Sequence, residues 1–272
     1  MKFRNYLKYV FLILLTATCT IIVGTVPIQA AAKVDWTHGV IVADYNNDGH
    51  NTGLNDVQQE LRQAAESVMI TETRTLKQYF NENLNLDRKF SYIIEEATFT
   101  ELPDEQGIMH PVCQIQLYGV SRSIISLVLP DEMTEQPFIR IEKPKKSAAQ
   151  NTDTAETESK NDKKTKNYFT GLIIDCRGLD FQPLMLPTIK NETGQPIYSI
   201  NNFDRAVILS RGLAAYAADE ASAVKAGDNP LLVKPLTIEP GTIILSNTDA
   251  NTVLGANMES SFLQGAKIVI LI

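Results

Sequence analysis

Apolar positions change their spacing several times along this chain, and the changes predict its elements. Residues 39–43 form a short apolar run suited to a buried strand. From Leu54 the spacing lengthens: Leu61, Ala64, Ala65, Val68, Met69, Leu76, Tyr79 and Phe80 recur at helical intervals, with Asn55 or Asp56 able to cap the start. One long helix is the expectation. A shorter helix is predicted over 87–95, with Phe90, Ile93 and Ile94 as its apolar face. Residues 98–102 and 112–118 read as strands, and in the second Cys113, Ile115 and Leu117 alternate with Val112, Gln114, Gln116 and Tyr118. The Pro-Asp-Glu-Gln-Gly run between them is turn chemistry, so the two should pair as an antiparallel hairpin. Residues 124–129 form a short helix or strand that stops at Pro130.

The later part of the chain is richer in strands. Residues 172–176 are the first, and 186–190 and 196–200 flank Asn191-Glu192-Thr193-Gly194, a hairpin turn with glycine where positive φ is easiest. A short strand is expected at 207–209 and an alanine-rich helix at 213–224. Strands follow at 231–236, 242–245 and 267–272, with Asp249 placed to cap a helix running toward Met258. Trp36 reads as a core or edge plug. Between the two parts, residues 143–166 hold no aromatic, Leu, Ile or Val. Such a segment buries too little apolar surface to offset its ordering entropy and is expected to be a disordered linker. The expected fold class is α+β: two small domains, 33–142 and 167–272, each a mainly antiparallel sheet covered by helices.

The first 32 residues are set apart. Lys2, Arg4 and Lys8 precede an apolar run from Val10 to Val26, followed by Pro27 and Gln29-Ala30-Ala31-Ala32. This is the layout of a secretory signal cleaved before Lys33; an uncleaved membrane anchor is the alternative, since the run nearly reaches spanning length. Cys19 is rejected as a lipidation site because the apolar run continues past it through Ile21, Ile22 and Val23. Cleavage would remove three cations and no acid, taking the net charge from −7 to −10. So acidic a chain is a poor binder of phosphate backbones, and no nucleic-acid partner is expected. Cys113 and Cys176 remain, and each sits in an apolar run where a thiol serves as a small buried group; two buried thiols are favoured over a bridge.

One stretch has metal-ligand spacing. Asp44, Asn46, Asp48 and Gly49 match the first half of a calcium loop, with Thr52 at the ninth position. The twelfth position, where a bidentate acid belongs, is Asn55, and Asp56 comes one residue late. A polar turn explains the same residues without a metal. Apart from this calcium candidate (Asp44, Asn46, Asp48, Thr52 and Asp56), no cofactor is expected. The sequence carries no metalloprotease helix, phosphate loop or nucleophile elbow, and the chain is read as no enzyme. A hydrolase with dispersed carboxylates is the enzymatic alternative.

Several phrases of the later part fit together: Gly171-Leu172-Ile173-Ile174-Asp175-Cys176-Arg177-Gly178-Leu179, Pro183 with Leu186-Pro187, Gly194-Gln195-Pro196-Ile197-Tyr198, residues 227–234 and Ser246-Asn247-Thr248-Asp249-Ala250. Their order and spacing resemble exported bacterial proteins of the LPP-twenty type, a lipoprotein family related to part of flagellar assembly protein T; Cys176 stands where that family usually has alanine. The first part resembles it more weakly. The resemblance implies an α+β fold, an envelope location and a structural or assembly role without a reaction. The partners expected are envelope proteins or the cell wall, with the membrane touched only through an uncleaved N-terminal segment. The location expected is extracytoplasmic, in the cell envelope or periplasm. Asp175 and Arg177 are candidate binding residues, able to pair or to satisfy backbone groups at the strand end.

Overall fold

The computed structural model describes residues 32–44, 54–103, 107–141 and 168–272. They belong to one compact unit made of two mixed α+β regions. The expected signal segment and linker lie outside the described residues, apart from Ala32.

In the first region, β1 (Lys33–Asp35) and β2 (Val40–Asp44) join two later strands, β5 (Thr98–Pro103) and β6 (Met109–Gln116), in an antiparallel sheet of order β1-β2-β6-β5. Ile41, Ala43, Cys113 and Ile115 share its inner face and are buried, as the alternation requires. Helix α1 (Leu54–Glu66) lays Val57, Leu61 and Ala65 on that face. The expected long helix is in fact two. After Glu66 the Ser67 and Val68 amides close the last turn on the Ala64 and Ala65 carbonyls, at 3.2 and 3.0 Å. A tight hairpin follows, β3 (Met69–Thr71) and β4 (Arg74–Thr75), and then helix α2 (Leu76–Glu82), opened by the Thr75 amide donating to Gln78 Oε1 at 2.7 Å. The Met69 and Ile70 carbonyls accept from the Met185 and Leu186 amides at 3.0 and 2.9 Å. A partner distant in sequence therefore takes this backbone, and tertiary pairing overrides the local period. Helix α3 (Leu84–Glu95) buries Phe90, Ile93 and Ile94 as predicted. Helix α4 (Ile124–Val128) is capped by Ser123.

The second region holds two sheets. Strands β7 (Gly171–Asp175), β10 (Ala215–Ala217), β11 (Pro230–Val233) and β14 (Ile268–Leu271) form the order β10-β14-β7-β11, and every pair is parallel. Strands β8 (Thr188–Asn191), β9 (Pro196–Tyr198), β12 (Thr237–Glu239) and β13 (Thr242–Leu245) form the second, order β12-β13-β8-β9, with β13 and β8 parallel. The mainly antiparallel arrangement expected here is thus replaced by a parallel sheet and a mixed one. Two local expectations also change. The apolar run at 207–209 belongs to helix α5 (Arg205–Arg211), because Asp204 accepts the Val207 amide at 2.8 Å and starts a helix. The alanine-rich stretch begins as β10, since Ala215–Ala217 pair with β14. Helix α6 (Asn247–Ser260) is capped by Ser246. Asp249, the expected cap, sits three residues on and bonds back to the Ser246 hydroxyl, at 2.7 Å.

Both regions contribute to one core. Ile41, Leu61, Phe90 and Ile115 belong to the same buried cluster as Leu172, Tyr198, Leu254 and Ile270. Tyr118 is a principal pin: its hydroxyl donates to the Met185 carbonyl at 3.2 Å, and its ring lies against Gly212. Trp36 meets the Tyr216 ring edge-on at 5.3 Å.

Candidate functional site

Asp175 is the last residue of β7, and Gly178, at φ +76°, turns the chain sharply just beyond. Between them Arg177 folds back on the strand end. Its Nε donates to Asp175 Oδ1 at 2.8 Å and one Nη to Oδ2 at 3.0 Å, a bidentate pair; the Arg177 amide adds a bond to Oδ1 at 3.2 Å. The same Nη donates to Glu220 Oε1 at 2.8 Å, and Lys234 Nζ lies 4.0 Å from Asp175 Oδ2. The expected Asp175–Arg177 pairing is therefore present, extended by an acid and a base that sequence reasoning missed. Glu220 lies in a stretch read as helix, so its approach to Arg177 follows only once the strand directions are known. The Arg177 guanidinium holds the Asp175 carboxyl down to about 2, and the Asp175 carboxylate in turn raises the guanidinium. The array sits where parallel strands end at their carboxyl edge, the place where open α/β sheets carry ligands.

The calcium candidates fare differently. Asp44 ends β2 and Asp56 stands in the first turn of α1, and both are exposed. Asn46, Asp48 and Thr52 lie outside the described residues. Among the described residues no group of three or more His, Cys, Asp or Glu side chains is arranged to hold a metal ion. Asp44 also borders a cavity of about 710 Å³ on the outer face of the first sheet, over Val40, Val42 and Val112. At its rim His38 Nδ1 lies 2.7 Å from Asp35 Oδ2. Burial tends to raise the Asp35 carboxyl, but its bonds from His38 outweigh that and leave it below its ordinary value.

Cys113 and Cys176 are both buried and unbridged. Burial pushes both thiols up, Cys176 to about 12 with help from the Asp175 charge. A thiol so suppressed is a packing group rather than a nucleophile.

Residues 171–272 are similar to Treponema pallidum Tp0624, second domain. The similarity begins at the first residue of β7. This Tp0624-like segment contains both sheets of the second region and all four members of the charged array; Asp44 and Asp56 lie outside it. No curated protein matches the chain.

Proposed function

We propose that this chain is an exported component of the bacterial cell envelope that works by binding other envelope proteins or the cell wall, without catalysis. The resemblance of the later part to exported proteins of the LPP-twenty type supports the same reading. What carries the reading is the layout of the first 32 residues: three cations, an apolar run and a small-residue exit. The Asp175–Arg177–Glu220–Lys234 array supports the binding role. Its charges answer one another, which suits a preformed polar contact surface more than a proton-transfer site.

Cell fractionation with intact mass measurement tests the location. The expected result is a mature chain beginning near Lys33 in the envelope fraction; full-length protein with Met1 in the cytosol overturns the proposal. Crosslinked envelopes test the role. Wild-type protein should recover a reproducible partner that Arg177→Ala recovers poorly, and equal recovery would sink the contact surface.

The exposed carboxylates of Asp44 and Asp56, at the end of one element and the start of the next, favour a second reading as a calcium-responsive module. Calorimetric titration with calcium decides it: heat of binding with a rise in melting temperature supports it, and neither removes it.

A further inference from the structure

Strands β10 and β11 lie at opposite edges of the parallel sheet, with β14 and β7 between them. The chain joining them, residues 218–229, must therefore cross the sheet. Crossovers between parallel strands are usually α-helices, and parallel sheets are ordinarily covered on both faces by such helices. Here the whole crossover is twelve residues long and contains only a 3-10 turn, Val224–Ala226.

This strap is a thin cover. Under it lie Ile173, Ala217, Val269 and Leu271, all almost fully buried, and it touches them through two small side chains, Ala223 and Ala226. Its largest apolar side chain, Val224, is 81% exposed, and Leu232 beside the covered face is half-exposed.

The two ends are held differently. At the β11 end the attachment is backbone and close. The Thr170 hydroxyl donates to the Ala226 carbonyl at 2.8 Å and accepts the Asn229 amide at 3.0 Å, and the Thr170 amide donates to the Asn229 carbonyl at 2.9 Å. Gly171 lets the strap approach so near that a Cβ there would stand 2.4 Å from the Ala226 carbonyl oxygen. In the middle, Lys225 Nζ donates to the Arg211 carbonyl at 2.7 Å. At the β10 end the attachment to the sheet is the ion pair of Arg177 with Glu220, whose side chains are 38% and 52% exposed.

We propose that residues 218–229 form a hinged strap, fixed at Thr170 and latched by Arg177 and Glu220, that lifts from the parallel sheet without unfolding it and uncovers Ile173, Val269 and Leu271. The asymmetry of the two ends is what makes it a hinge and a latch. Opening releases the Arg177–Glu220 contact, the Lys225 bonds to the Arg211 and Gly212 carbonyls and two alanine contacts, whereas the strand pairings beneath are untouched. The inference does not depend on where the protein resides.

Hydrogen exchange on the purified full chain tests it. The amides of Ala223, Ala226 and Gly227 each donate within the strap, to Glu220, Ala223 and Val224, and report its opening. Glu220→Gln removes the latch charge at an exposed position, so the fold should persist. The expected result is exchange about threefold faster at the strap amides, the size an exposed ion pair supports, with amides of β7 and β14 unchanged. Raising sodium chloride to about 1 M should speed the strap amides of the wild type by a similar factor and leave the variant unaffected, because salt screens the same contact. Strap amides that do not respond to the substitution overturn the proposal. So do strap and sheet amides that accelerate together, since the strap would then open only with the sheet.

Discussion

Asp175 and Lys225 are the two side chains whose ionisation most clearly leaves a mark on stability, and they act in opposite directions. The folded state holds the Asp175 carboxyl near 2 against an ordinary 3.8. Its contribution is thus present above pH 4 and lost as pH falls toward 2. Asp175→Asn should lower stability at pH 7 by about 1 kcal/mol, a figure kept small by solvent screening. The gap from wild type should close below about pH 2, as urea denaturation at several pH values will show. Lys225 is driven from 10.5 to about 8, first by burial and then by the Arg211 charge. Between those two values the unfolded chain holds more protons than the folded one, so stability should rise with pH across that window. Lys225→Met should abolish the rise, read by melting temperature between pH 7.5 and 10.5. Cys113 and Cys176 were legible as buried thiols because each stands in an apolar run. Glu220 and Lys234 carried no comparable signal: a single charge in a polar stretch says nothing of what it will meet.

At the scale of elements, the alternation of Cys113, Ile115 and Leu117 was enough to orient β6, and the spacing of Phe90, Ile93 and Ile94 enough to orient α3. Both elements satisfy their periods locally. Residues 54–80 misled because an apolar stripe on α1, Val68 just before the hairpin, Met69 within it, and Leu76 of α2 happen to fall at intervals that mimic one helix. Residues 213–217 misled through alanine, whose helix preference is worth only tenths of a kcal/mol per residue and yields to pairing with β14. Strand direction is the deeper loss, since parallel and antiparallel pairing use the same residue types. The β14 run tests this level. Deleting residues 267–272 removes Ile268, Val269, Ile270 and Leu271, all buried between β10 and β7. The expected outcome is loss of cooperative unfolding, seen as a missing calorimetric transition, because the two regions share one core.

Over the whole molecule, the sequence supported two α+β regions but not their shared core, because contacts such as Tyr118 with Met185 join residues with no common pattern. The junction is sensitive at Gly212, which ends α5 at φ +63°. A Cβ there would stand 2.8 Å from the Tyr118 ring, whereas at Gly178, also at positive φ, it would meet nothing within 4 Å. Gly212→Ala should therefore cost about 3 kcal/mol, combining backbone strain with overpacking. Gly178→Ala should cost only the strain, about 1 kcal/mol. Guanidinium denaturation of the two variants checks the difference.

The position of β14 has a temporal side. A ribosome delivers β7, β10 and β11 long before the strand that must lie between β7 and β10, so the central seam of the parallel sheet stays open until that late arrival. Until then β10 has no neighbour in its sheet to bond with.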